Sequence, residues 1–116
     1  MTVYVVQDHT RYNRDTRTYE AVYDLSDAER FGPIVKLYGP TDGPMTPVDQ
    51  VAALLASFDA DDDFLLLIGS PVLCAIAFTI AALAGGGQVP VLVWQRRESC
   101  YVVVDTDLSD LVGGEM

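Results

Sequence analysis

From Phe64 to Gln95 the chain carries no charged residue, and Gly69-Ser70-Pro71 and Gly85-Gly86-Gly87 interrupt that run. A charge-free stretch of this length either spans a bilayer or is folded away inside a protein. The interruptions favour the second. Phe64 to Ile68 is a continuous apolar run, as in a central strand buried on both faces. Pro71 breaks a continuing helix but suits the first turn of a new one, with Ser70 as its cap. Val72 to Ala84 is then apolar almost all round, which predicts a helix that is deeply buried or sits at a subunit interface. The glycines stop it, and Val89 to Trp94 reads as the next strand.

The same reading extends to the rest of the chain. Val3 to Gln7 is a strand, Asp8 to Arg17 a polar loop, and Thr18 to Leu25 a second strand. Ser26 and Glu29 form a capping box for a helical turn that Gly32-Pro33 ends. Ile34 to Tyr38 is a third strand, and Gly39 to Met45 a loop rich in Pro and Gly. Thr46-Pro47 starts a helix whose Val48, Val51, Ala52, Leu55 and Phe58 make one apolar stripe. Arg96 to Ser99 makes a turn, from which Cys100 to Val104 returns as an antiparallel edge strand. Two strand–helix–strand units in series, with right-handed crossovers, make their three strands parallel. The expected fold is α/β: a small, single-domain, Rossmann-like layered fold with a mostly parallel sheet and an antiparallel edge hairpin. Residues 1–107 form the domain, and 108–116 an acidic, frayed tail.

Charge narrows the function. Of 116 residues, 17 are acidic and 7 basic, for a net charge of −10. Direct nucleic-acid binding needs clustered cations, so the balance argues against it, as it does against an anionic membrane surface. Six arginines and one lysine suggest a high-salt or GC-rich source. Cys74 and Cys100, with the single His9, match no metal-binding spacing, so no metal and no cofactor is implied. Reduced thiols and a start without a signal-peptide pattern point to the cytoplasm.

Ligands in parallel sheets bind beyond the carboxyl ends of the strands. That edge carries Gly39, Thr41 and Asp42 after one strand and Gly69 and Ser70 after another. If the first strand runs parallel to them, Gln7, Asp8 and His9 join it. Gly69 permits close backbone approach, and amides at a helix start favour an anion. Arg11, Arg14 and Arg17 are the one basic cluster. These groups could hold a phosphorylated or carboxylated small ligand, although no dinucleotide fingerprint or phosphate-loop lysine is present. No catalytic constellation emerges: His9, Asp8, Asp42 and Ser70 have no spacing that unites them. Cys100 near Arg96 and Arg97 reads as an inward-packing strand cysteine. The acidic stretch Asp59, Asp61, Asp62 and Asp63, with Asp105, Asp107 and Asp110, offers a different function. Carboxylates gathered on one face can stand in for phosphates before a basic groove.

At Tyr4-Val5-Val6-Gln7, and from Asp63 through Gly69-Ser70-Pro71 to Ala75-Ile76-Ala77, the chain resembles a group of small hypothetical proteins of tailed bacteriophages. Val91 to Val104, a strand ending near a Trp with a charged turn and a returning strand, fits the same pattern. The resemblance covers the first strand and about the last half of the chain. Ser70 stands where that group usually has Asp, which counts against a carboxylate role for the loop. The resemblance implies a protein acting in the host cytoplasm and binding a host protein. The expected function is therefore a small, acidic, non-enzymatic interaction protein, with a possible homodimer contact through the Val72 to Ala84 helix. The alternative is a phosphate- or nucleotide-binding module, or a small enzyme, built on the strand-end loops.

Overall fold

The computed structural model describes residues 1–8, 10–21 and 24–112. Its centre is β1 (Val3–Gln7), buried at every position. A strand enclosed on both faces and both edges has no use for polar alternation, and only its last residue, Gln7, is polar. β1 pairs in parallel with β4 (Ile34–Tyr38) on one side and β5 (Phe64–Leu66) on the other. β5 continues in parallel to β6 (Gln88–Gln95), which turns back as the antiparallel edge strand β7 (Cys100–Asp107). The sheet order is β4-β1-β5-β6-β7. Counting only its own strands in chain order, this is 2-1-3-4-5, a doubly wound order that reverses beside β1. The α/β class, the parallel core and the antiparallel hairpin are as the sequence predicts.

One face is covered by α1 (Asp49–Leu55) and α2 (Pro71–Ala84). There Val51, Leu55, Leu73, Ala77 and Ala81 pack on Tyr4, Val6, Leu37, Leu65, Val89 and Val91. The Tyr4 and Phe58 rings meet at 5.9 Å. On the opposite face the 3-10 turn Ser26–Phe31 sets Ala28 on Val3 and Val5. Its Asp27 accepts from the Tyr101 amide at 2.7 Å, and Arg30 donates to the Tyr101 carbonyl. These bonds occupy backbone groups of β7, the kind of protection an edge strand needs.

Several local readings change. The expected loop at Asp8 to Arg17 contains β2 (Thr10–Asn13), which forms a separate antiparallel hairpin with β3 (Thr18–Ala21). Its described side chains are mostly exposed, so no buried face imprinted an alternation to read. The predicted strand from Thr18 to Leu25 stops at Ala21 as far as the described residues go. Ser26 does not cap its turn; its amide instead donates to Asp24 at 2.9 Å. Thr46 likewise caps no helix: its hydroxyl accepts from the Gly43 amide at 3.1 Å, and α1 begins at Asp49. α2 starts and ends where expected, with Ser70 at its cap position and Pro71 first. It is not enclosed all round, because Val72 and Leu83 face solvent. Beyond β7, Ser109–Val112 forms one helical turn, α3. No helix among the described residues is long and apolar enough to cross a membrane.

Candidate functional site

β1 is parallel to its neighbours, so the carboxyl ends of β1, β4 and β5 share one edge, at the point where strand order reverses. The Gln7 side chain fills that point. Its Nε2 donates to the carbonyls of Gly39 at 3.0 Å and Asp42 at 2.8 Å. Its Oε1 accepts from the Ser70 amide at 3.1 Å. Gly69 makes room for this clamp: a Cβ there would sit 2.5 Å from that of Gln7, and its φ is +114°. Four predicted residues, Gly39, Asp42, Gly69 and Ser70, are thus brought together, but around a side chain of the protein itself. Sequence reasoning placed Gln7 on this edge on condition that the first strand is parallel, which it is, but gave it no role. Its signal was a lone amide ending an apolar strand.

The other members of that set stand apart. Thr41 is exposed in its turn. The Asp42 carboxylate accepts from the Gly39 amide at 2.7 Å, which closes its own loop. The Ser70 hydroxyl makes no cap bond. Asp8 pairs with Lys36 at 2.8 Å, so it is committed to a cation. Arg11 and Arg14, with Arg17, lie exposed on the β2–β3 hairpin. His9 lies outside the described residues. Tyr38, at the end of β4, is buried with its hydroxyl unpartnered among the described residues. Burial, and then the charge of Asp42, push its pKa up.

Beside Gly69 a groove of about 760 Å³ runs down the face opposite α1 and α2. Leu66, Ile68, Leu92, Trp94 and Tyr101 line it, with Asp24 and Arg96 as its charged groups. Trp94 and Tyr101 meet edge to face at 5.0 Å.

The opposite end of the sheet is acidic. Asp59, Asp61, Asp62 and Asp63 precede β5 there. Asp105 and Asp107 end β7 there, and Asp110 follows in α3. The two stretches meet: Ala60, Asp105 and Asp107 line one cleft of about 180 Å³. Part of the acid is structural. Asp63 is buried, accepting from the Thr2 amide at 3.1 Å and the Asp59 amide at 2.9 Å. Asp59 accepts from the Asp61 amide at 2.9 Å. Asp62 meets the Met1 ammonium at 3.0 Å, and this bond raises the ammonium pKa. Asp107 accepts from the Ser109 amide at 2.9 Å; bonds to Ser109 hold its carboxyl below the usual carboxylate range. Asp61, Asp105 and Asp110 are exposed. Among the described residues no group of acids, His and Cys could hold a metal ion. Cys74 is half-buried, which raises its thiol pKa, and Cys100 is half-buried at the head of β7.

A family model described as phage Pam3 gp32-like protein matches residues 1–108. No curated protein and no solved structure matches the chain.

Proposed function

The chain belongs to the phage Pam3 gp32-like protein family, and on that footing we propose a non-enzymatic interaction protein that engages a basic surface of a host macromolecule through its acidic pole. The observation that carries this reading is the convergence at one end of two acidic stretches some 40 residues apart, around a common cleft. Carboxylates on one rigid edge make a field that a phosphate-binding groove would recognise. The filled strand-end edge weighs in the same direction. The amide that an anionic ligand would use, that of Ser70, already has Gln7 as its acceptor.

The test is capture from host lysate at low and high salt. The variant is Asp61→Asn with Asp105→Asn and Asp110→Asn, which spares the buried Asp63. The expected result is a partner retained at low salt, shed at high salt and lost from the triple variant. Unchanged capture with the same salt slope overturns the reading.

A second reading, small-ligand binding, draws on the groove beside Gly69, whose size and aromatic lining suit an organic molecule. Co-purification of one metabolite, displaced by Trp94→Ala, would favour it.

A further inference from the structure

β7 forms one margin of the sheet, and beyond Tyr101 its outer side is open. Natural edges are blunted by short length, proline, lysine or a bulge. β7 has eight residues in unbroken register with β6 and uses none of these devices. The Tyr101 amide and carbonyl bond outward, to Asp27 and Arg30. Backbone direction alternates along an antiparallel strand, so the same groups of Val103, Asp105 and Asp107 also face out. Pro90, which has no amide to offer, stands opposite Asp105 and agrees with this phase. Among the described residues the backbone groups of Val103 and Asp105 have no partner, and both residues are exposed. Side chains alternate as well. Val103, Asp105 and Asp107 stand on the face of Tyr101. Val104, 43% exposed, stands on the face that carries α2.

We propose that an extended segment of the partner, alternating basic and apolar residues, pairs with this edge as an added strand. The proposal rests on the acidic-pole reading above and names the way that pole is recognised. Main-chain bonds to Val103 and Asp105 hold the segment, and its side chains supply the selection. Those on the Tyr101 face lie beside Asp105 and Asp107, where lysine or arginine is favoured. Those on the other face lie beside Val104, where apolar side chains are favoured. No Lys or Arg follows Arg97 in the chain, so β7 itself brings no cation to oppose a basic strand. A second copy of the chain is a poor occupant, because its own β7 would bring a further Asp105 and Asp107 to the same edge. Charged side chains on an edge bar self-pairing, and these leave the edge free for a strand of opposite sign.

Fluorescence anisotropy on the full chain tests this, at low and high salt. The probe is a labelled peptide of about seven residues alternating lysine and valine, which spans the open edge at ~3.4 Å per residue. The wild type is expected to bind it, and less tightly at high salt. The same peptide N-methylated at its internal residues keeps its charge but loses its main-chain donors. It is expected to bind more weakly by about tenfold or more. Val103→Pro removes an outward amide and no bond to β6, and is expected to weaken binding of the unmethylated peptide to a similar degree. Circular dichroism identifies a variant that fails to fold, and the N-methylated peptide needs no variant. Equal affinity for the N-methylated peptide overturns the proposal and leaves charge attraction by the acidic pole standing. Equal affinity for a glutamine–valine peptide overturns the proposal and the acidic-pole reading together. A wild type that binds no peptide overturns the proposal. So does a dimer in sedimentation velocity that Val103→Pro dissociates, because a second copy then holds the edge.

Discussion

Gln7 stands where the doubly wound order would ordinarily leave room for a ligand. A buried amide is tolerated only when its hydrogen-bonding groups are used, and those of Gln7 tie two strand-end loops to β1. Replacing it with Leu keeps the bulk but leaves the Gly39 and Asp42 carbonyls and the Ser70 amide without their partner. Urea unfolding should show a loss of about 2–4 kcal/mol; an unchanged midpoint would mean water replaces the clamp freely. Ser70→Ala removes a hydroxyl without a cap bond and should cost little in the same assay. Tyr38 presents the reverse case. Its buried hydroxyl has no partner among the described residues, so Tyr38→Phe should be neutral or stabilising by up to about 1–2 kcal/mol. Its raised pKa also has a pH consequence. The native state holds the phenol proton more tightly than the unfolded chain does, so stability falls as pH rises past the unfolded tyrosine value. Between pH 8 and about 10.5, the wild type should lose more stability than Tyr38→Phe. Equal losses would remove this account.

At the scale of elements, what was legible depended on whether burial had written a pattern. α2 could be placed to the residue because a Ser-Pro start and three glycines bracket it, and none of these signals needs tertiary context. β1 could be recognised as a strand, but its central place in the sheet could not be read: pairing with both β4 and β5 leaves no mark beyond unbroken apolarity. The second strand of the β2–β3 hairpin could be read from Thr18 onward, but its first strand could not, for the opposite reason. The exposed residues of β2 obey no period, and the hairpin is held by its own ladder and by Asn13, Thr16 and Glu20 side-chain bonds. Of the candidate site, the loops could be named in advance. Gln7 could be placed on their edge only on condition that the first strand ran parallel, and its part in joining them could not be read, because the meeting of Gln7, Gly39 and Ser70 is a product of strand order. A two-stranded ribbon outside the main sheet is marginal by itself. Hydrogen exchange should therefore find the amides of residues 10–21 opening far more readily than those of β1 and β5. Protection equal to β1 would show that the hairpin is docked.

At the scale of the molecule, the net charge of −10 is not spread evenly, and this makes the acidic pole testable without knowing any partner. Asp63 repays its burial with two backbone bonds, Asp59 caps its own turn, and Asp62 meets an ammonium. Asp61, Asp105 and Asp110 are left exposed on a pole crowded with like charge. Such crowding opposes folding through self-repulsion, and salt relieves it, because exposed charges are screened over about 8–10 Å at physiological ionic strength. The wild type should therefore melt higher in 0.3 M than in about 0.02 M sodium chloride, by several degrees for ~1 kcal/mol of relieved repulsion. Asp61→Asn with Asp105→Asn and Asp110→Asn should melt higher at low salt and lose much of that salt response. If the triple variant keeps the full response, the repulsion lies elsewhere among the 17 acids. If it is instead less stable at every salt concentration, those carboxylates make bonds that hold the fold. A pole that is costly to the isolated fold, and from which three charges can be removed with a gain in stability, is what a surface kept for a basic partner requires.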